Sequence, residues 1–148
     1  MTRYVLDTNL YIEAARDRSF AAALVRFTSM YLPQIYLHAV VAQELTIGAI
    51  HSVARRQLER GLILPFERRG RVVVPSYRAW KRSGEIVAEL TERKVLSVGG
   101  LARSFLNDVL LAASCREEGY TIITRNTADF ARIAQIEMVR YVAPWPTD

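Results

Sequence analysis

The chain is poor in several residue types, and each shortage excludes a class of site or of protein. Among its 148 residues Cys115 is the one cysteine, so no disulfide can form within the chain and nothing indicates an oxidising compartment. With only two histidines, His38 and His51, a conventional zinc site has little support. No apolar run approaches the ~20 residues of a membrane span, and the first residues are too polar for a signal peptide. We therefore expect a cytoplasmic protein with no membrane segment.

Lysine is scarce too, which gives the positive charge a distinct chemistry. The net charge is +5, and 18 of the 20 basic residues are arginines. Residues 55–94 hold 11 basic and 5 acidic side chains, so the excess positive charge lies in the middle of the chain. Arginine donates two parallel hydrogen bonds to a phosphate group, which favours a nucleic-acid partner. A solvated helical face or an acidic protein partner is an equally good interpretation. The candidate RNA-binding residues are Arg55, Arg56, Arg68, Arg69 and Arg71.

The order of β-rich and helical patterns predicts the fold class. A hydrophobic fraction of 51% argues against disorder, and the length fits a single domain over residues 1–148. Helical patterns alternate with short β-rich runs at residues 4–6, 35–37, 72–74, 121–124 and 138–142. Such alternation is typical of βαβ units, so we predict an α/β fold with a parallel sheet covered by helices on both faces.

Capping residues predict where several helices begin and end. Ser19 and Ser76 are expected N-caps. Gly61 is expected to close a short basic helix over residues 52–61, and residues 98–100 should form a loop. A stripe of residues at helical spacing is expected in the core or at a dimer surface: Tyr77, Trp80, Val87 and Leu90.

The first β-rich run leads directly into an acid. Asp7 follows the apolar residues of this strand, and Thr8 and Asn9 come next. Ligands of open α/β folds bind beyond the carboxyl ends of parallel strands, which is where this carboxylate should lie. An ionised acid at such a place is costly unless something compensates it. Asp7 could instead do no more than cap the next helix, a role that Thr8 or Asn9 could also fill.

Two further acids lie among apolar helical positions. Glu44 shares one helical face with Val40, Val41 and Gly48, whereas a surface glutamate belongs on the opposite face. A buried glutamate paired with an arginine is the alternative. Asp108 lies in the first turns of a later helix and has apolar neighbours on both sides. It could be there for helix stability alone, but the pattern indicates burial.

A second polar turn follows the fourth β-rich run. Thr124, Asn126 and Asp129 come at or just past the end of this strand, as Asp7 does past the end of the first. If the two strands are neighbours in the sheet, the two turns face each other. Asn126 or Thr127 could instead do no more than cap a short helix.

Acids that converge in one cleft need a compensating charge. Two carboxylates 4 Å apart repel by ~4 kcal/mol at an effective dielectric constant of 20. Such a cluster must take up protons or bind a cation, and carboxylate, amide and hydroxyl groups are the ligands that suit Mg²⁺ or Mn²⁺. The sequence therefore predicts a divalent-metal site formed by three or four of the acids Asp7, Glu44, Asp108 and Asp129.

Together these motifs resemble the PIN-domain ribonucleases, and their order and spacing are most similar to the VapC-type toxins of bacterial toxin–antitoxin pairs. The resemblance covers essentially the whole chain and rests on residues 7–9, Glu44-Leu45 with Gly48, Asn107-Asp108 and residues 124–130. It implies a three-layer α/β/α fold with a five-stranded parallel sheet and an Mg²⁺- or Mn²⁺-dependent endoribonuclease. It also implies a homodimer and an antitoxin that keeps the toxin inactive.

The resemblance implies a role for each residue of the site. Asp7, Glu44 and Asp108 match the three core acids, and Asp129 matches an acid in the last motif of many relatives. Asn126 stands where others place their fourth acid, so either Asn126 or Asp129 completes the metal site. The small polar residues around the site are Thr8, Asn9 and Thr124.

Three other functions remain open at this stage. A structure-specific DNA nuclease with the same fold would use the same metal chemistry, and a catalytically inactive binding module would keep the fold alone. Phosphatases of the haloacid dehalogenase type also place an acid after the first strand, but they expect a second aspartate at the position of Asn9. Nucleotide binding has little support, because Gly99-Gly100 lacks the Lys-Ser or Lys-Thr of a phosphate-binding loop.

Overall fold

A five-stranded sheet forms the centre of the molecule, which the computed structural model describes for residues 1–97, 99 and 101–147. Its strands are parallel and lie in the order β3-β2-β1-β4-β5. Their bounds are Arg3–Leu6 (β1), Ile35–His38 (β2), Val72–Val73 (β3), Tyr120–Ile123 (β4) and Arg140–Val142 (β5). The predicted parallel α/β sheet is confirmed, and the predicted strand bounds differ from these by at most two residues.

Helices connect the strands and bury the sheet. Residues at the centre of the two middle strands are inaccessible to solvent, as expected for a parallel sheet covered on both faces, consistent with the three-layer α/β/α arrangement. In the described residues no helix is long and apolar enough to cross a membrane. The helices are Thr8–Arg16 (α1), Arg18–Tyr31 (α2), Ala39–Gly48 (α3), Ser52–Leu58 (α4), Leu64–Arg68 (α5), Tyr77–Glu92 (α6), Arg103–Glu118 (α7) and Thr127–Ile133 (α8).

The two central strands bring the first and the last polar turns together. β1 pairs with β4 over its whole length, with Leu6 opposite Ile123. The Asp7 N–H donates to the Ile123 carbonyl at 2.9 Å, so Asp7 and Thr124 leave the sheet side by side. The condition under which the two turns face each other, that their strands are neighbours in the sheet, is therefore met.

One of the two predicted N-caps is wrong. Asp17 caps α2, because its Oδ1 accepts hydrogen bonds from the N–H groups of Ser19 and Phe20. The helix therefore begins before Ser19, and the carboxylate compensates its free N–H groups better than a neutral hydroxyl would. Ser76 caps α6 as predicted, since its Oγ accepts from the Ala79 N–H at 3.0 Å.

The prediction that Gly61 ends the basic helix is also wrong. The chain continues from α4 through a π-helical turn, Glu59–Ile63, into α5. A glycine inside a helix costs only about 1 kcal/mol relative to alanine, and burial of Ile63 and Phe66 just beyond it outweighs that cost. The positive φ that favours glycine occurs at Gly70, after the end of α5.

The aromatic stripe of α6 is only partly in the core. Leu90 is fully buried and Val87 packs against the core, as predicted. Tyr77 and Trp80 are 78% and 59% exposed, so the core assignment is wrong for both. Their membership of a dimer surface stays a prediction. In the predicted loop at residues 98–100, Val98 and Gly100 lie outside the described residues.

Candidate active site

Asp7 lies buried at the carboxyl end of β1, where three groups hold its carboxylate. Oδ1 accepts the Thr8 N–H at 2.8 Å and so caps α1. Oδ2 accepts the Thr124 hydroxyl at 2.7 Å and the Asn9 amide at 3.0 Å. Asp7 is thus the helix cap itself, and the prediction that Thr8 or Asn9 fills that role is wrong. One carboxylate oxygen serves the helix while the other faces the turn after β4.

Glu44 projects from α3 toward the same place. Its Oε1 accepts the Thr8 hydroxyl at 2.7 Å, and its Oε2 accepts the Asn107 amide at 3.3 Å. The side chain is half-buried, on the side of α3 that buries Val40 and Val41. Among the described ion pairs none includes Glu44, so the arginine-paired alternative is not what holds it. Neutral donors leave its negative charge uncompensated.

Asp108 is the most perturbed acid of the cluster. It is 7% exposed, which confirms the burial that its apolar neighbours predict. Burial raises the pKa of Asp108 to about 8, and the charges of Asp7, Glu44 and Asp129 act in the same direction. The Asn126 amide, which donates to Asp108 Oδ2 at 3.1 Å, opposes this rise. Without a cation, Asp108 holds a proton at neutral pH.

The same repulsion acts on Asp7. Burial is the main cause of its raised pKa, and the charge of Glu44 adds to it. Hydrogen bonds from Thr124, Thr8 and Asn9 work against the rise because they stabilise the ionised form. The carboxylates at the end of β1 and on helices α3 and α7 therefore repel one another, as the sequence predicts.

Asp129 differs from the other acids because it has a cation beside it. Arg132 Nη2 lies 2.5 Å from Asp129 Oδ1. The Asn126 amide donates to Asp129 Oδ2 at 2.8 Å, and the Asn126 N–H donates to Thr124 Oγ1 at 2.9 Å. Asn126 occupies the N-cap position of α8 without a side-chain capping bond, so its side chain serves the acid cluster instead.

The donor set suits a hard divalent cation, although the side chains are not drawn together around one point. In the part of the chain that the structure describes, no three His, Cys, Asp or Glu side chains lie close enough to share one ion. The buried, mutually repelling carboxylates have the chemistry of an Mg²⁺ or Mn²⁺ site. Binding an ion would require Asp7, Glu44 and Asp108 to turn toward each other and release some hydrogen bonds from neutral donors.

Three contacts around the site escape prediction from sequence. Asn107 reaches Glu44, and Arg132 reaches Asp129. His38, at the end of β2, accepts the Val40 N–H with Nδ1 and lies 2.9 Å from the Ser114 hydroxyl with Nε2. It thereby links α3, which carries Glu44, to α7, which carries Asp108. The one signal in the sequence was a histidine at the junction of a strand and a helix.

The five candidate RNA-binding arginines divide into two groups. Arg55 donates to the carbonyl groups of Ala49 and Ile50, and Arg71 donates to the carbonyl of Leu32. These two side chains therefore hold loops in place. The remaining candidates, Arg56, Arg68 and Arg69, are exposed on the helical segment between α3 and β3.

The fold and this arrangement of acids define the class of protein. The chain belongs to the PIN domain family, whose model matches residues 4–136. Members of this family are typically nucleases. The family predicted from the motifs is thereby confirmed.

Several solved structures share this fold. One similar structure is a chain of the DNA-bound VapBC complex from Salmonella typhimurium. The TM-score is 0.72, the sequence identity is 21%, and the alignment covers 97% of this chain and 98% of that chain. For a chain of FitAcB from Neisseria gonorrhoeae, the TM-score is 0.70 and the identity 23%, and the alignment covers 97% of this chain and 99% of that chain. For a chain of VapBC2 from Rickettsia felis, bound to a promoter DNA fragment, the TM-score is 0.66 and the identity 24%, and the alignment covers 98% of this chain and 100% of that chain. No curated protein sequence matches the chain significantly. At these identities the similarity establishes the fold.

Proposed function

We propose that the chain is a divalent-cation-dependent endoribonuclease that acts as the toxin of a VapBC-type toxin–antitoxin pair. The observation that carries the proposal is that Asp7, at the end of β1, lies close enough to Glu44 on α3 and Asp108 on α7 for their charges to act on one another. Burial together with mutual repulsion raises the pKa of Asp108 to about 8. A bound cation would explain why the fold keeps these mutually repelling carboxylates close together.

Asp7 and Asp108 are the proposed principal ligands of Mg²⁺ or Mn²⁺, with Glu44 as a third ligand or as the group that orients the attacking water. A divalent cation held by these residues would supply an activated water near neutral pH and a positive charge for the leaving oxygen of a phosphodiester. Thr124 and Asn9 fix the direction of the Asp7 carboxylate. Because Glu44 is only half-buried, its carboxylate can reach water and accept a proton from it.

The proposed RNA grip consists of Arg56, Arg68 and Arg69. All three are exposed, and they belong to the segment that carries the chain's excess positive charge. Contacts to phosphate groups release counterions, so RNA affinity should fall as the salt concentration rises. An affinity that does not change with salt would contradict this assignment.

The proposed protein partner is an antitoxin. The structural neighbours are VapBC and FitAB complexes, and an apolar groove of about 520 Å³ lies beside Glu44. A segment of the antitoxin seated in that groove would block access to the acids. The groove is lined by residues of α1, α3 and α4, chiefly Tyr11, Ile12, Leu45 and Leu58.

We also propose a homodimer, to whose interface the exposed side chains of Tyr77 and Trp80 would contribute.

Cleavage assays with the purified chain test the function. With Mg²⁺ or Mn²⁺ present we expect hydrolysis of RNA that offers single-stranded loops, and none in excess EDTA. DNA of the same sequence is the matched control substrate. Cleavage that persists in EDTA would contradict the cation requirement, and cleavage of DNA in preference to RNA would favour the structure-specific DNA nuclease. No cleavage of either substrate, together with no cation binding, would favour an inactive binding module.

A further inference from the structure

The acid in the last motif, Asp129, is bound differently from the three acids of the cleft. Its Oδ1 is paired with Arg132 at 2.5 Å, and its Oδ2 accepts the Asn126 amide at 2.8 Å. Both carboxylate oxygens therefore have a strong donor already. Asp7, Glu44 and Asp108 accept from neutral donors only, in the part of the chain that the structure describes.

Arg132 is itself fixed to the helix that carries Asp108. Its guanidinium lies over the Phe105 ring, 4.7 Å from the ring centroid. Phe105 is 4% exposed and precedes Asp108 by one helical turn. A cation on an aromatic face is attracted by the negative face of the ring. This contact anchors the last turn of α8 to the first turn of α7.

The contacts close a ring between the two helices. From Phe105 the ring runs through Arg132 and Asp129 to the Asn126 amide, which also donates to Asp108 Oδ2 at 3.1 Å. Asn126 Nδ2 thus carries one hydrogen bond to each acid. Removing Asp129 would leave the Asn126 amide with one acceptor instead of two. The amide could then rotate away from Asp108.

We infer that Asp129 is a positioning residue that orients the Asn126 amide toward Asp108, with Arg132 as its anchor, and that it is not a ligand of the cation. The inference rests on the proposed function, since it assigns roles within the same site. It decides between Asn126 and Asp129, which the sequence left open as the group that completes the site. Asp129 is bound by Arg132, while Asn126 makes the contact with the metal-binding acid.

The test compares Asp129→Ala, Arg132→Ala and the double variant with the unaltered chain. Mn²⁺ affinity is measured by calorimetry, and kcat and KM are measured on RNA. We expect each Mn²⁺ Kd to stay within about 3-fold of the unaltered value while kcat falls about 10-fold, in the range typical of groups that orient metal ligands. The double variant should lose no more than either single variant, because both break the same ring. KM should change little.

Two further variants separate positioning from a general loss of structure. Arg132→Lys keeps the positive charge, so its kcat should be close to that of the unaltered chain. A merely structural role of the ring would instead change kcat and KM together. Arg26→Ala removes an exposed helical arginine far along the sequence from this ring and is the matched control. Should Asp129→Ala fail to fold, Arg132→Ala carries the same test, because it frees Asp129 Oδ1 without removing a carboxylate.

The outcomes distinguish this inference from the proposed function. An Asp129→Ala variant that binds Mn²⁺ more than 10-fold more weakly, or an Arg132→Ala variant with tighter Mn²⁺ binding and unaltered kcat, would make Asp129 a ligand and overturn the inference alone. Unaltered kcat in both single variants would overturn it as well. Failure of the unaltered chain to bind Mn²⁺ or cleave RNA would instead overturn the proposed function.

Discussion

Replacing Asp108 with asparagine is expected to lower the rate of RNA cleavage by at least about 100-fold, since changes to groups that merely orient metal ligands already cost roughly 10–100-fold. The substitution keeps the size of the side chain and an oxygen that can accept from Asn126. It removes the charge that a divalent cation would need. The measurement is kcat/KM for a defined RNA at saturating Mg²⁺.

The same variant should be more stable than the unaltered chain in EDTA at pH 8. Burial and three neighbouring acids raise the pKa of Asp108 to about 8, so its ionised form is unfavourable in the folded protein without a cation. Higher stability together with lost activity separates a catalytic role from a folding defect. Glu92→Gln, which neutralises an exposed acid on α6, is the control and should change neither quantity much. Full activity of Asp108→Asn would contradict the proposed site.

The second large effect is a fall in stability of the cation-free protein as the pH rises from 6.5 to 8. Asp108 has a folded-state pKa of about 8 and a model value of 3.8, so between these values the folded state binds the extra proton. Its contribution to stability is fully present below pH 3.8 and is lost as the pH rises through 8. Each such proton gives a slope of up to about 1.4 kcal/mol per pH unit. The raised pKa of Asp7 acts with the same sign.

His38 fixes the pH range in which this effect can be measured. Burial lowers the pKa of His38 from 6.5 to about 4, so its contribution is present above pH 6.5 and is lost as the pH falls toward 4. Below pH 6.5 the histidine therefore opposes the trend of the two acids. As the pH rises above 6.5 the unfolded-state histidine loses its proton, its opposing contribution fades, and the contribution of Asp108 dominates.

Urea unfolding in EDTA at pH 6.5, 7.25 and 8 measures the slope. We expect stability to fall over this range in the unaltered chain, to fall less in Asp108→Asn, and to be restored at pH 8 by millimolar Mg²⁺ or Mn²⁺. A slope of the opposite sign, or the same slope in both proteins, would contradict the assignment of the buried proton to Asp108.

Local patterns were sufficient to predict most of the elements and the three central acids. The apolar run before Asp7 predicted a buried strand with an acid at its end, because a parallel sheet is apolar on both faces. The apolar neighbours of Asp108 predicted its burial for a similar reason. Both inferences use residues within a few positions of the acid, which the sequence displays directly.

Contacts between distant elements could not be predicted in this way. The hydrogen bond from Thr8 to Glu44 joins helices α1 and α3, and the one from Asn126 to Asp108 joins two other elements. Such bonds depend on the angles at which helices cross, for which the sequence has no local signal. Gly61 shows the converse error, since its local signal for a helix end was overridden by apolar residues that become buried beyond it.

The central claim is that Asp7, Glu44 and Asp108 together hold a divalent cation. A crystal structure with Mn²⁺, using its anomalous scattering to locate the ion, tests this claim most directly. We predict a peak within coordination distance of oxygens of Asp7 and Asp108, with Glu44 beside it. A peak elsewhere on the molecule, or none between these carboxylates at saturating Mn²⁺, would contradict the claim.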